Sequence, residues 1–226
     1  MTVAIGQTRY DQGMGGVQKA GLLFAIALLF SVPGKSQVIG FESGGLRYYA
    51  LTRSGLTVMV AQLPAQIRDY NVLQVAVSNG GNKVAIVRPE DFVFIRDDGS
   101  EVPAVAPRTV VNSMISRASR SDVVKLITSY ESSIYGNTQY KATNGYEARR
   151  QSAMTEFTST RMKAAAAASA IAFVQTKLAP GESTDGAIFY PSVGKTTPTG
   201  TVRVRIASNT YDFPLTSTSH NGSQSP

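Results

Sequence analysis

The chain has 226 residues, of which 42% are hydrophobic and 16% charged, with no cysteine, no tryptophan and one histidine. That length is ample for a sizeable apolar core, and the lack of cysteine excludes disulfides, thiol nucleophiles and thiolate zinc sites. The formal net charge of +7 is scattered along the chain rather than gathered in stripes, which argues against a nucleic-acid partner.

Near the N-terminus, Lys19 precedes the uncharged run AGLLFAIALLF (20–30), and SVPGKS (31–36) follows. A basic residue, a short apolar run and small residues before a cut site form the pattern of a secretory signal peptide. The run is shorter than the roughly 20 residues that a spanning helix needs. Gly34 and Ser36 occupy the two small-residue positions, so residues 1–36 read as a signal peptide cut after Ser36. Met14 is a candidate start, leaving MGGVQK as a compact basic leader. The destination is the periplasm or the exterior, and contact with the membrane is expected only through this segment.

The mature chain opens with strands. RYYALT (47–52) and LTVMVAQL (56–63) flank the turn Arg53-Ser-Gly55. In residues 70–79, Leu73, Val75 and Val77 share one face and Gln74 and Ser78 the other, the period of a half-buried strand. GGNK (80–83) reads as a hairpin turn into a short strand over 84–87. A further strand, FVFIR (92–96), is closed by DDGS (97–100), in which glycine supplies positive φ and aspartate the turn hydrogen bond.

The period then changes. Residues 121–130 place Val124, Leu126, Ile127 and Tyr130 at helical spacing, with Ser121 as N-cap. After a polar segment dotted with tyrosines, residues 147–172 read as one long helix containing five consecutive alanines. Its apolar stripe is Met154, Phe157, Ala164, Ala168 and Ile171, interrupted by Arg161. Strands return over 173–178 and 186–190, separated by the Pro-Gly turn of APGE (179–182). Finally, TVRVRI (201–206) alternates strictly, with Arg203 and Arg205 outward, and YDFPL (211–215) carries Pro214, which marks an edge strand. Residues 217–226 read as a disordered polar tail.

Seven to nine short strands with regular turn signals predict a mainly β fold. The predicted architecture is an antiparallel immunoglobulin-like β-sandwich over 37–216, with a two-helix insertion at about 112–172, α+β overall. The order VLQVAVSNGGNK, RPEDFVFIRDDGSE, LAPGESTDGAIFYP and TVRVRIASNTYDFPL resembles the telokin-like immunoglobulin-fold proteins of bacterial envelopes. Asn79, Pro89, Asp91, Phe92, Asp98, Gly99, Pro180, Gly181 and Glu182 carry the resemblance, which covers residues 47–215 except 105–172. It implies an exported immunoglobulin-like module and brings no catalytic residue with it.

The chemistry-bearing residues are few. His220 lies in the polar tail, which leaves a Ser-His-Asp triad without a held imidazole. Glu90, Asp91, Asp97, Asp98 and Glu101 cluster in sequence, but without the spacing of a calcium loop; their simplest reading is turn and cap chemistry. No cofactor, metal or catalytic residue is assigned. Tyr130, Tyr135, Tyr140 and Tyr146, interleaved with polar residues, form a candidate partner-binding surface for an envelope protein or glycan, although the simpler reading is of rings that anchor a loop on the core. The expected role is that of a non-catalytic structural or interaction module at the cell envelope. The alternative is a cofactor-independent glycan hydrolase built on two carboxylates. Export makes a direct prediction: mass spectrometry of the chain from its native cells should find the N-terminus at or near Gln37, and an intact Met1 or Thr2 would refute it.

Overall fold

The computed structural model describes residues 37–43, 45–64, 66–135, 151–152, 155–192 and 198–215. Eleven strands and three α-helices are formed there. The first strands are β1 (Ile39–Ser43), β2 (Leu46–Arg53), β3 (Leu56–Gln62), β4 (Tyr70–Asn79), β5 (Ala85–Val87), β6 (Phe92–Arg96) and β7 (Glu101–Pro103). Then come the helices α1 (Pro107–Arg117), α2 (Arg120–Tyr135) and α3 (Thr160–Ile171). The chain returns to strands in β8 (Thr176–Leu178), β9 (Ser183–Pro191), β10 (Gly200–Ile206) and β11 (Asn209–Leu215). The strands pair antiparallel in a five-stranded sheet β1-β2-β3-β4-β9, a four-stranded sheet β11-β10-β6-β7 and a two-stranded ribbon β5-β8. Among the described residues no helix is long and apolar enough to cross a membrane.

Several turns follow directly from local chemistry. The β2–β3 hairpin closes on Ser54 and Gly55, with φ of 50° and 78°, the paired positive values that match the twist of two-residue hairpins. In the β6–β7 turn the Ser100 N–H donates to Asp98 Oδ1 at 2.8 Å and Gly99 takes φ of 82°. Pro214 sits in β11, an edge strand of its sheet, where no ladder N–H is missed.

Residues 80–83 do not make the expected hairpin, because the neighbours of β4 are β3 and β9, not β5. Asn79 is the reason. Its buried side-chain amide donates to the Lys83 carbonyl at 2.8 Å and the Leu178 carbonyl at 3.1 Å, and its Oδ1 accepts from the Gly81 N–H at 3.1 Å. Its backbone N–H donates to Glu182 O at 2.8 Å, and its carbonyl accepts from Gly181 N–H. One residue therefore ties the end of β4 to both the 80–83 loop and the Pro-Gly turn. That turn carries the chain from β8 in the ribbon to β9 in the large sheet, instead of joining two neighbours in one sheet.

The helices differ from expectation at their ends and in number. Among the described residues the helical region has three helices rather than two and begins at Pro107 rather than 112. Pro107 occupies the first helical position, where a missing N–H costs nothing. For α2, the cap is Ser119 rather than Ser121. The Ser119 N–H donates to Asp122 Oδ2 at 2.7 Å and the Asp122 N–H to Ser119 Oγ at 3.4 Å, a reciprocal capping box. The long helix expected over 147–172 is broken at 157–159, with helical turns at 151–152 and 155–156. Around the break, Thr155 Oγ1 bonds back to the Gln151 carbonyl at 2.9 Å, and Ser159 takes the extended N-cap conformation. Hydroxyl side chains of this kind compete with the helix backbone. Met154 and residues 147–150 lie outside the described residues.

The large sheet is buried on both faces. On one, Leu51, Val58, Val60, Leu73, Val75, Val77 and Ile188 share a cluster with Phe92, Phe94, Val202, Val204, Ile206, Tyr211 and Phe213 of the four-stranded sheet. On the other, Tyr48, Ala61, Val72 and Phe189 share a second cluster with Val110, Met114, Leu126, Tyr130, Ala164, Ala168 and Ile171 of the helices. Hence β4 is not the half-buried strand its alternation suggests. Gln74 and Ala76, on the polar side of the pattern, are buried too, and Gln74 accepts a hydrogen bond from the Tyr48 hydroxyl at 3.4 Å. The chain passes from the helical cluster to the two-sheet cluster at the edge of β9. Phe173 N–H donates to Ala187 O at 2.9 Å, and a Cβ on Gly186 would stand 2.7 Å from Phe173 Cα. Only glycine permits that crossing.

The Asn79 network yields a quantitative expectation. Asn79→Ala strands the Lys83 and Leu178 carbonyls and the Gly81 N–H, and should lower stability by about 2–4 kcal/mol. A urea melt checks it; a loss below about 0.5 kcal/mol, the scale of a surface substitution, would show that the loops hold without it.

Candidate functional site

A candidate contact surface lies on the solvent side of the helical layer, and a clasp sets its position. Ile67 and Tyr70 exchange N–H···O bonds of 3.0 Å each, closing a tight turn in which Arg68 is held at φ of 54°. A non-glycine residue there is strained. The strain is offset by the Arg68 guanidinium, which donates to the Arg117 carbonyl at the end of α1 and to Asp122 Oδ2 at 3.3 Å. Asp122 also accepts from the Ser119 hydroxyl at 2.8 Å. Burial pushes the Asp122 carboxyl up, but the Ser119 backbone and hydroxyl bonds and the Arg68 charge outweigh it and hold the group below its ordinary value. The joint between α1 and α2 is thereby fastened to the β3–β4 connection.

The remaining helix packs where its alanines allow. Ala164, Ala165, Ala167, Ala168, Ala170 and Ile171 of α3 are buried, and α3 packs on both α1 and α2. Small side chains bring the helices close but leave the outer margin of the α1–α3 contact unfilled. An open apolar groove of about 540 Å³ results, with Val111 and Ile115 of α1 and Met162, Ala165 and Ala166 of α3 in its walls. Ile115 is 41% exposed and Met162 36%, and on α2 Val124 is 55% exposed. Apolar side chains projecting at this level beside an open groove are a mark of contact surfaces.

The tyrosine surface expected from the sequence does not include Tyr130. That ring is 0% exposed and its hydroxyl donates to the buried Asp185 carboxylate of β9 at 2.9 Å, so it anchors α2 to the large sheet. The side chain of Tyr135 and all of Tyr140 and Tyr146 lie outside the described residues.

The acidic cluster resolves into turn chemistry. Asp91 Oδ2 accepts from the Arg88 N–H at 2.7 Å, and its burial raises its carboxyl above the ordinary value despite that bond and the Arg88 charge. Asp98 serves the β6–β7 turn, Asp97 accepts from the Thr199 hydroxyl, and Glu101 pairs with Arg205 at 3.4 Å. Among the described residues no three His, Asp or Glu side chains gather as a metal site would require. A second open cleft, about 600 Å³ along β8 and the start of β9, does hold two carboxylates, Glu182 and Asp185. They lie three residues apart in sequence, and both are engaged, Glu182 accepting the Ala179 N–H at 2.7 Å and Asp185 the Tyr130 hydroxyl. A glycosidase pair instead flanks its substrate from two sides.

No protein-family model matches the chain, and the curated proteins yield no match. Among solved structures it is similar to the yjhA protein from Bacillus subtilis, at 11% identity and a TM-score of 0.30, over 74% of this chain and 76% of that one. A likeness this slight carries no argument. The site therefore stands on its own geometry.

Sequence reasoning missed the groove because it missed α1. The signal was there in Pro107 and in the pairs Val110-Val111 and Met114-Ile115, one helical turn apart. The clasp gives a testable pH dependence. Asp122→Ala should destabilise the protein by about 2 kcal/mol at neutral pH. Because the folded carboxyl titrates below its ordinary value of 3.8, the wild-type advantage should be full above that pH and fade as pH falls through the lower folded value. Urea melts of both proteins across acid pH check this; a difference that persists undiminished in strong acid would contradict it.

Proposed function

We propose that this chain is an exported, non-catalytic immunoglobulin-like module with a structural or interaction role at the bacterial cell envelope, and that the outer face of the helical layer is its contact surface. The observation that carries the reading is the open apolar groove between α1 and α3, flanked by the exposed Ile115 and Met162. Two antiparallel sheets sharing one apolar cluster support the immunoglobulin-like assignment. So does the work done by the residues behind the telokin-like resemblance: Asn79, Gly181 and Glu182 meet in one backbone knot, and Asp98 and Gly99 form the β6–β7 turn. The apolar run of residues 20–30 supports export.

The carboxylate hydrolase gains no observation of its own, since Glu182 and Asp185 are both engaged in holding the fold. In this reading the sheets and their turns are a rigid mount, and the helices inserted between β7 and β8 present the working face. A photo-reactive amino acid at Ile115, illuminated in the native envelope, should give crosslinked adducts. The same label at Thr52, an exposed residue on the β2–β3 hairpin, should give few. Equal labelling from both positions, or none from Ile115, would refute the assignment.

A further inference from the structure

The inference here rests on that reading of the helical layer and names what the layer touches. Among the described residues, the helices and the turn between α1 and α2 carry Arg108, Arg117, Arg120, Lys125, Arg161 and Lys163. All but the half-buried Lys163 are exposed. Against them stand Asp122, Glu131 and Glu156, and Asp122 is buried and held by Ser119 and Arg68. None of the six cations makes an ion pair among the described residues. The four-stranded sheet behaves otherwise: Arg203 pairs with Asp212 at 2.7 Å and Arg205 with Glu101 at 3.4 Å. Arg203 and Arg205 are thus paired, whereas the six helical cations have no acidic partner among the described residues.

The same three helices carry exposed apolar side chains. Ile115 projects from α1, Val124 from α2 and Met162 from α3, beside the groove of about 540 Å³. Lipid phosphates satisfy guanidinium and ammonium groups, while branched and thioether side chains reach the boundary of the acyl region. We propose that the outer face of the helical layer docks on an anionic phospholipid surface, with exposed arginines and lysines of the layer at headgroup level and Ile115, Val124 and Met162 as shallow apolar contacts. An acidic polypeptide would meet the charge equally well. It would more naturally be read by converging anchors in one pocket, whereas Val124 stands on α2, outside the groove.

The test uses the full chain and sedimentation with vesicles of phosphatidylcholine alone or with about one third phosphatidylglycerol, in roughly 0.1 M salt. Neutral vesicles measure whatever residues 20–30 contribute. Binding should be markedly tighter to the anionic vesicles and should be released at high salt. Each cation near the surface is worth about a fivefold change in affinity, so the triple variant R108Q/R120Q/R161Q should bind roughly 100-fold more weakly. The sheet variant R203Q/R205Q should bind as the wild type does. Equal binding to both vesicle types, undiminished binding by the triple variant, or capture by polyglutamate without capture by anionic vesicles would each overturn the lipid assignment. Adducts from Ile115 in the native envelope would survive that result, so the two readings fail separately.

Discussion

A sheet with two apolar faces cannot be left with one of them in water, and this requirement organises the molecule. In β4, Val72 and Leu73 are both buried although they point to opposite sides. One face needs a cover rich in β-branched and aromatic residues, which β6, β10 and β11 supply. The other is covered by helices, which need a contact surface flat enough to lie on strands. Alanine meets that need on α3, where a run of five is buried or nearly so. Removal of either cover would expose many large side chains at about 1.5–3 kcal/mol each, far more than a domain of this size has in reserve.

The two covers are joined by a few positions with little latitude. Asn79 uses its whole side-chain amide and both backbone groups to keep β4, the 80–83 loop and the Pro-Gly turn in register. Gly186 has no Cβ because the backbone of Phe173 occupies that space. Phe173 then places its ring against Phe92, 5.6 Å between centroids, so the residue that leaves the helical layer ends in the core between the sheets. Arg68 and Asp122 do the corresponding work on the helical side, where a strained turn is held by a guanidinium that also ends α1.

Much of this was legible in the sequence. Strand alternation located β10 and β11 and faced their side chains correctly, and turn residues marked Ser54-Gly55 and Asp98-Gly99. What escaped was whatever depends on partners distant in sequence. Gln74 reads as a solvent residue until Tyr48 covers it, and GGNK looks like a hairpin until Asn79 reaches across to Leu178. The helix expected over 147–172 failed because alanine propensity said nothing of the hydroxyl-rich stretch that breaks it. The groove escaped because α1 buries only Val110 and Met114 on its inner face, too short a stripe to stand out. Tyr130 reads both as a surface ring and as a core anchor, and it is the anchor. A tyrosine at helical spacing with Leu126 belongs to the core, and its hydroxyl needed only the one buried acceptor that Asp185 provides.

The pairing of β4 with β9 also governs how such a chain matures. Residues 70–79 meet residues 183–191 across more than a hundred intervening positions, and β6 waits for β10 in the same way. A chain emerging N-terminus first holds β2, β3 and β4 as an uncovered meander until β9 arrives. Distant pairings of this kind slow folding and lengthen the life of sticky intermediates. The intervening helices can form early from local contacts and lie over one side of the waiting meander. On this view the insertion between β7 and β8 acts as an internal escort for a nascent sheet whose closing strand is made more than a hundred residues later.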